Sequence, residues 1–415
     1  MTDTPPACRF CATPLTHTFV DLGRTRLANS YVTREDVAAG RDAFYSLHAR
    51  VCESCLLVQV DDSVPPDAIF SDYAYFSSYS SSWVEHARKY AVAMKERFEL
   101  GPQSLVVEVA SNDGYLLQHF KTMNVPVLGV EPAANVAVKA EEIGIPTRVA
   151  FFGEEIGAAL SREGKSADLT AANNVLAHVP GTLDFVKGFA AILKPEGVST
   201  FEFPHVLNLI REVQFDTIYH EHFFYLSLVA VEKIFDAAGL RVFDVEELPT
   251  HGGSLRVYAC LKSASHAESP RVAALREKEI TAGLDSLSGY EGFAPRVEAV
   301  RKGFMEFLRK AKADGKSVAA YGAAAKGNTF LNYCGVSDGD MVCVFDRSLE
   351  KQNKLLPGSH LPIRAPEDIA EVKPDYLVIL PWNLETEITM DHDYIRGWGG
   401  KFVVAIPQTR IISPA

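Results

Sequence analysis

Four consecutive residues, Tyr219-His220-Glu221-His222, put a phenol, two imidazoles and a carboxylate into one short stretch. They lie in DTIYHEHFFY, Asp216–Tyr225, a segment rich in aromatic side chains. Imidazole ordinarily titrates at about pH 6.5, so these residue types suit proton transfer near neutrality. The spacing argues against a metal here, because residues two apart on a helix point to different sides. In an extended segment His220 and His222 would share one face, and Tyr219 and Glu221 the other. Buried histidines with purely structural partners are the alternative to acid–base work. A further histidine, His178, follows Asn173 in NNVLAHVP, just past the end of an expected strand.

The seven cysteines are not scattered. Cys8 and Cys11 form one C-x2-C and Cys52 and Cys55 another, whereas Cys260, Cys334 and Cys343 stand alone. In a reducing compartment, paired knuckles of this kind favour a metal over disulfides. Four thiolates suit Zn²⁺, and a full set of protein ligands makes the site structural. The residues between the knuckles must then loop out as a small β-rich excursion.

A third stretch, LVVEVASNDGYLLQHF, reads as a buried strand, a small-residue turn and a helix. Such a junction cradles a nucleotide at the carboxyl edge of an α/β sheet. Glu108 interrupts the strand, and Ala110, Asn112 and Gly114 belong to the turn. Glu131, followed by Pro132, ends the next strand about twenty residues on, where a carboxylate binds a ribose diol. The turn lacks G-x-G-x-x-G and carries Asn112 and Asp113, which suits a cationic, phosphate-free nucleoside better than a dinucleotide. S-adenosylmethionine (SAM), with its sulfonium and ammonium, fits that description. Asn173 ends a fourth strand on the same edge.

Around these residues the pattern alternates strand and helix from Leu105 to about Leu261, giving a doubly wound sheet. Before it, SDYAYFSSYSSSW sets Tyr73 and Phe76 among serines, a mixture suited to stacking and hydrogen bonding. Residues 266–313 read as charged helix. A second α/β unit follows, with Lys326 and Asn328 in the loop and helix start YGAAAKGN. Lys326 could meet a phosphate, although no full P-loop is present. The expected domains are 1–70, zinc-binding; 71–265, SAM-binding; and 266–415, Rossmann-like with a helical lead-in. The chain of 415 residues carries a formal charge of −12, so broad attraction to nucleic acid is not expected. Neither a signal peptide nor a membrane span is evident, and a cytoplasmic protein is the expectation.

Together, CRFC…CESC, EVASNDGYLL with GVEP, and YGAAAKGN, in that order, resemble the SAM-dependent sugar C-methyltransferases of deoxysugar biosynthesis. The similarity is greatest to the C-3′ methyltransferases of the D-tetronitrose type. It implies a structural zinc domain, a class I SAM domain and a C-terminal Rossmann-like domain. It also implies a deoxythymidine-diphosphate (dTDP)-linked 4-ketosugar, with or without a 3-amino group, bound between the last two domains. By resemblance, the SAM cradle is the Glu108–Gly114 loop, with Glu131 on the ribose. Carbon methylation beside a ketone needs an enolate, hence a base and donors to oxygen. The resemblance, not the spacing, selects His222 over His220 as that base. Tyr219 would then place the ketone, Glu221 would orient or balance charge, and Tyr73 and His178 would line the pocket. Phe76, Lys326 and Asn328 would contact substrate. An O- or N-methyltransferase, an NAD-dependent epimerase or dehydrogenase, and a non-enzymatic adaptor remain alternatives. No oligomeric state can be read from the sequence, and a monomer is the default expectation.

Overall fold

The computed structural model describes residues 5–61 and 77–413. The N-terminal part is a sheet of β1 (His17–Thr25), β2 (Tyr45–Val51) and β3 (Val58–Val60), all antiparallel. Its fourth strand comes from far along the chain: β9 (Phe224–Tyr225) pairs with β3, Val58 opposite Tyr225. This sheet is too small to close a core by itself. Instead Phe19 stacks on Phe293 with ring centres 4.4 Å apart, and Phe19, Leu47 and Val58 share one core with Phe215, Phe304 and Phe330.

The central sheet contains β4 (Val106–Val109), β5 (Val127–Glu131), β6 (Thr147–Val149), β7 (Ala167–Asn173), β8 (Leu193–Pro204), β10 (Leu240–Leu248) and β11 (Ser254–Leu261). Their order is β6-β5-β4-β7-β8-β11-β10, and β11 alone points opposite to the other six strands. Chain order reverses between β4 and β7, which opens a crevice beyond their carboxyl ends. The β4 residues are all buried, so Val106, Val107 and Val109 form the apolar run expected of a strand covered on both faces. The helix Ser81–Arg97 starts where Ser80 accepts a hydrogen bond from the Trp83 amide at 3.3 Å. The helix Pro270–Thr281 packs on β10 and on the helix Leu228–Ala237. Its Glu279 accepts from Leu228 and Val229 amides and pairs with His205, both side chains fully buried.

The C-terminal sheet has β12 (Val318–Tyr321), β13 (Val344–Phe345), β14 (Ile363–Arg364), β15 (Tyr376–Ile379), β16 (Lys401–Val404) and β17 (Arg410–Ile411). The order β14-β13-β12-β15-β16-β17 is parallel except for β17, as in a Rossmann-like unit with an antiparallel edge. Its reversal point lies between β12 and β15. Lys326 lies in the first turn of the helix Ala325–Cys334 that follows β12, not in the loop before it, and Trp382 follows β15, so both residues stand at that crevice.

Candidate active site and zinc centre

The four N-terminal thiols converge, with all sulfurs within 4.8 Å of one another. Cys8 and Cys55 sulfurs are 3.6 Å apart, and Cys11 and Cys52 sulfurs 3.4 Å. Tetrahedral zinc with Zn–S bonds of about 2.3 Å sets its ligands about 3.8 Å apart, so the set fits. Each C-x2-C closes the same turn: the amides of Ala12 and Leu56 donate to the carbonyls of Cys8 and Cys52, both at 2.9 Å. Both residues take positive φ, 59° and 64°. The Gln59 amide donates to Cys8 sulfur at 3.2 Å, an outer contact that orients the ligand.

The turn after β4 is also tightly wound. Ala110, Asn112 and Gly114 have φ of 54°, 49° and 80°. A side chain at Gly114 would crowd Ile145 at 3.0 Å and Ile143 at 3.2 Å, and its positive φ favours glycine besides. Glu131 props the turn, accepting from the amides of Asn112 at 3.0 Å and Ala133 at 2.9 Å. Pro132 lies between these two contacts. Asn112 and Asp113 in turn accept from the amides of Ser77 and Ser78.

Several buried polar atoms at this edge have no protein partner: Glu108 Oε2, Asp113 Oδ1, and both amide atoms of Asn173. Buried polar groups are normally paired, so this convergence is the signature of a ligand cradle. Burial pushes Glu108 well above the carboxylate range, and nearby Glu131 and Asp113 add to that against the Tyr115 hydroxyl. Burial also raises Glu131. A cationic ligand restores the ionised forms. Its binding should therefore release protons, measurable by calorimetry in two buffers of different ionisation enthalpy. An enthalpy independent of buffer would sink this.

The Tyr219–His222 segment is not extended. His222 amide donates to the Tyr219 carbonyl at 2.9 Å, closing a turn that sets residues three apart side by side. Tyr219 hydroxyl donates to His222 Nε2 at 2.8 Å, and the rings lie 4.0 Å apart. His222 Nδ1–H donates to the Thr217 carbonyl at 3.1 Å, which fixes the tautomer and leaves Nε2 as the basic nitrogen. The expected pairing of His220 with His222 is thus replaced. His220 turns away, its Nε2–H donating to the Ser46 carbonyl of β2 at 3.0 Å. Burial pushes His220 down to about 4.

His178 stands edge-on to His222, ring centres 4.6 Å apart, and its Nδ1–H donates to the Glu221 carbonyl at 2.8 Å. Burial pushes His178 to about 4. It pushes His222 well below its ordinary value, with His178, His251 and Lys326 adding to the effect. Glu221 points elsewhere: both its oxygens accept from the Asn29 amide, at 2.8 and 2.9 Å. It therefore ties the N-terminal domain to the Tyr219–His222 turn.

Lys326 reaches back toward this site. Its ammonium donates to Asn383 Oδ1 and lies 4.7 Å over the Trp382 ring. Trp382 Nε1–H donates to Asp216 at 2.8 Å, bridging the C-terminal and central domains. Burial raises Asp216 to about 6 against the pull of Lys326. Asn328 has a different setting from the one expected. It is 1% exposed and its amide donates to the Ala28 carbonyl at 3.2 Å, so it joins domains rather than facing the cleft. Tyr73 and Phe76 lie outside the described residues. Sequence reasoning missed Asn29, Asp216 and Trp382, whose partners lie more than a hundred residues away.

Residues 8–70 match a zinc binding domain family, 83–245 a methyltransferase domain and 249–407 a C-methyltransferase C-terminal domain. The C-methyltransferase NovU of Streptomyces niveus is 37% identical over 406 residues, spanning 98% of this chain and 96% of that one. This chain belongs to the C-methyltransferase family. Among solved structures, a Burkholderia thailandensis 1,6-didemethyltoxoflavin-N1-methyltransferase is 14% identical, covering 49% of this chain and 94% of its own, with a TM-score of 0.36. A SAM-dependent methyltransferase from Clostridium acetobutylicum is 13% identical, covering 47% and 95%, with a TM-score of 0.35. The family match gives a SAM-binding methyltransferase domain and a zinc-binding N-terminal domain, so the cradle at β4 and β5 would take SAM and the four cysteines would take zinc. Glu108, Asn112, Asp113, Glu131 and Asn173 would hold the cationic nucleoside. No described helix is long and apolar enough to cross a membrane.

Proposed function

We propose that this C-methyltransferase alkylates the carbon beside the ketone, C-3′, of a dTDP-linked 4-keto deoxysugar, with 3-amino-2,3,6-trideoxy-4-keto hexoses the favoured substrates. The observation that carries the reading is the Tyr219–His222 pair, a buried imidazole whose tautomer makes Nε2 the basic nitrogen, held by the Tyr219 hydroxyl. Transfer to oxygen or nitrogen needs no carbanion, whereas transfer to carbon requires one. The relative's name supports carbon, and the motif resemblance supports the sugar nucleotide.

When bound, SAM supplies an electrophilic methyl group on a sulfonium. His222 takes the proton from the sugar carbon as the carbonyl pair moves onto oxygen. Tyr219, released from Nε2 as substrate enters, donates its hydroxyl to that oxygen. His178 walls the base and keeps it neutral, and Lys326 supplies positive charge for the enolate or the diphosphate. Holding both reactants across the crevice aligns carbon with the methyl group, and this alignment contributes much of the rate.

The test is mass spectrometry after incubation with SAM and a panel of dTDP-4-ketosugars, with and without a 3-amino group. The expected product carries one new methyl on carbon, and in D₂O the unreacted ketosugar gains deuterium at that carbon. A methyl on oxygen or nitrogen would overturn the reading.

A further inference from the structure

The loop joining β10 and β11 lies on the same carboxyl edge as the SAM cradle, and it places one residue that the catalytic turn does not account for. His251 has φ 54° and ψ 25°, a left-handed conformation that a side chain disfavours, and it precedes two glycines at 84° and 110°. The loop is held from both domains. Gln214 donates to the Gly252 carbonyl at 2.8 Å, and the His205 amide to the Gly253 carbonyl at 3.0 Å. Trp382 fills the space beside Gly252, where a Cβ would lie 2.3 Å from its ring. The same Trp382 supports Lys326.

Against this fixed backbone the imidazole remains exposed at the cleft. Asn174, the residue after the SAM-site Asn173, donates through Nδ2 to His251 Nε2 at 3.4 Å. Trp83 flanks the ring, centres 5.5 Å apart. With Nε2 accepting, the proton sits on Nδ1, and that N–H meets no protein acceptor among the described residues. The protein around the cleft surrounds the ring without covering it and lowers His251 to about 4, with Lys326 acting in the same direction, so the ring is a neutral donor. A neutral imidazole donates to a developing oxyanion without surrendering its proton.

From this juxtaposition we infer that His251 is a substrate-contacting residue whose Nδ1–H, oriented by Asn174, holds the ketone oxygen while His222 takes the carbon-bound proton. The C–H pair becomes the enolate double bond, the carbonyl π pair goes to oxygen, and His251 keeps its proton throughout. Asn174 is a positioning residue that selects the tautomer. This rests on the ketosugar reading above.

The test uses His251→Gly, which suits the left-handed backbone, with the dTDP-4-ketosugar that the product panel identifies. His251→Gly should melt at or above the wild-type temperature and bind SAM unchanged. Its kcat, and its deuterium exchange with S-adenosylhomocysteine bound, should fall about 100-fold, with KM within a few-fold. Added imidazole should restore part of the exchange, and Asn174→Ala should lower kcat by a smaller factor. Exchange and turnover within about twofold of wild type in His251→Gly would overturn the inference, as would a loss that imidazole leaves untouched. Failure of the ketosugar reading itself would look different, because then wild-type protein would show no exchange with any panel member.

Discussion

Replacing His222 with Asn should abolish methyl transfer and substrate-dependent deuterium uptake while leaving SAM affinity unchanged. The asparagine keeps a donor toward the Thr217 carbonyl and a similar volume, so the turn should survive. What it removes is the basic lone pair that Tyr219 now occupies. General-base catalysis contributes about 10²- to 10⁴-fold, and both steps depend on it because the enolate precedes alkylation. The SAM contacts proposed at the β4–β5 turn should not register the change, which isothermal titration can check. The wild-type pH profile supplies a second reading. The base works when neutral, and burial lowers its pKa, so the acid limb of kcat/KM should fall well below pH 6.5. Normal turnover in His222→Asn, or an acid limb above 6.5, would sink the assignment.

Zinc removal should have an effect of comparable size by a different route. Structural zinc contributes about 10–16 kcal/mol of apparent binding free energy in small zinc-finger peptides, which exceeds the stability of most whole domains. The small N-terminal sheet should therefore unfold when a chelator strips the metal or when Cys52 becomes Ser. Three contacts would go with it: Asn29 on Glu221, Tyr31 hydroxyl on the Ala323 carbonyl at 2.6 Å, and the Ala28 carbonyl on Asn328. These hold the catalytic turn against the C-terminal crevice. Turnover should fall to background and amide exchange should rise across β1 to β3. SAM should still bind, because its cradle is built from residues 108–173. Zinc readdition should restore turnover after chelation. Metal-free protein that still turns over would show that the domain is dispensable for the site.

Both predictions combine features that differ in how they could be read. The cysteine pairs and the acid-lined turn were legible because each is local: a few residues in sequence make the knuckle or the cradle. Strand–helix alternation was legible for the same reason, since hydrophobic periodicity reports which faces are covered. The two-residue strand β9 was not, because two residues carry no period, and its pairing with Val58 is decided by the sheet it completes. Nor was the boundary of the central packing. The charge-rich helix Pro270–Thr281 joins the central sheet through a buried Glu279, and only its partners His205 and Leu228 reveal that.

The sequence by itself determined the cysteine cluster that suits zinc, the acid-lined turn after β4 and the three-part order, because spacing and residue type suffice for each. Tertiary structure alone decided which side chains meet at the chemistry. The turn at Tyr219–His222 reverses the face pairing expected of an extended segment, since one i to i+3 hydrogen bond changes which neighbours coincide. It sends His220 to β2 and His222 to Tyr219. Likewise Trp382, Asp216 and Lys326 converge only because two separate sheets present their carboxyl edges to each other. Such convergence depends on packing between distant segments, and no local pattern encodes it.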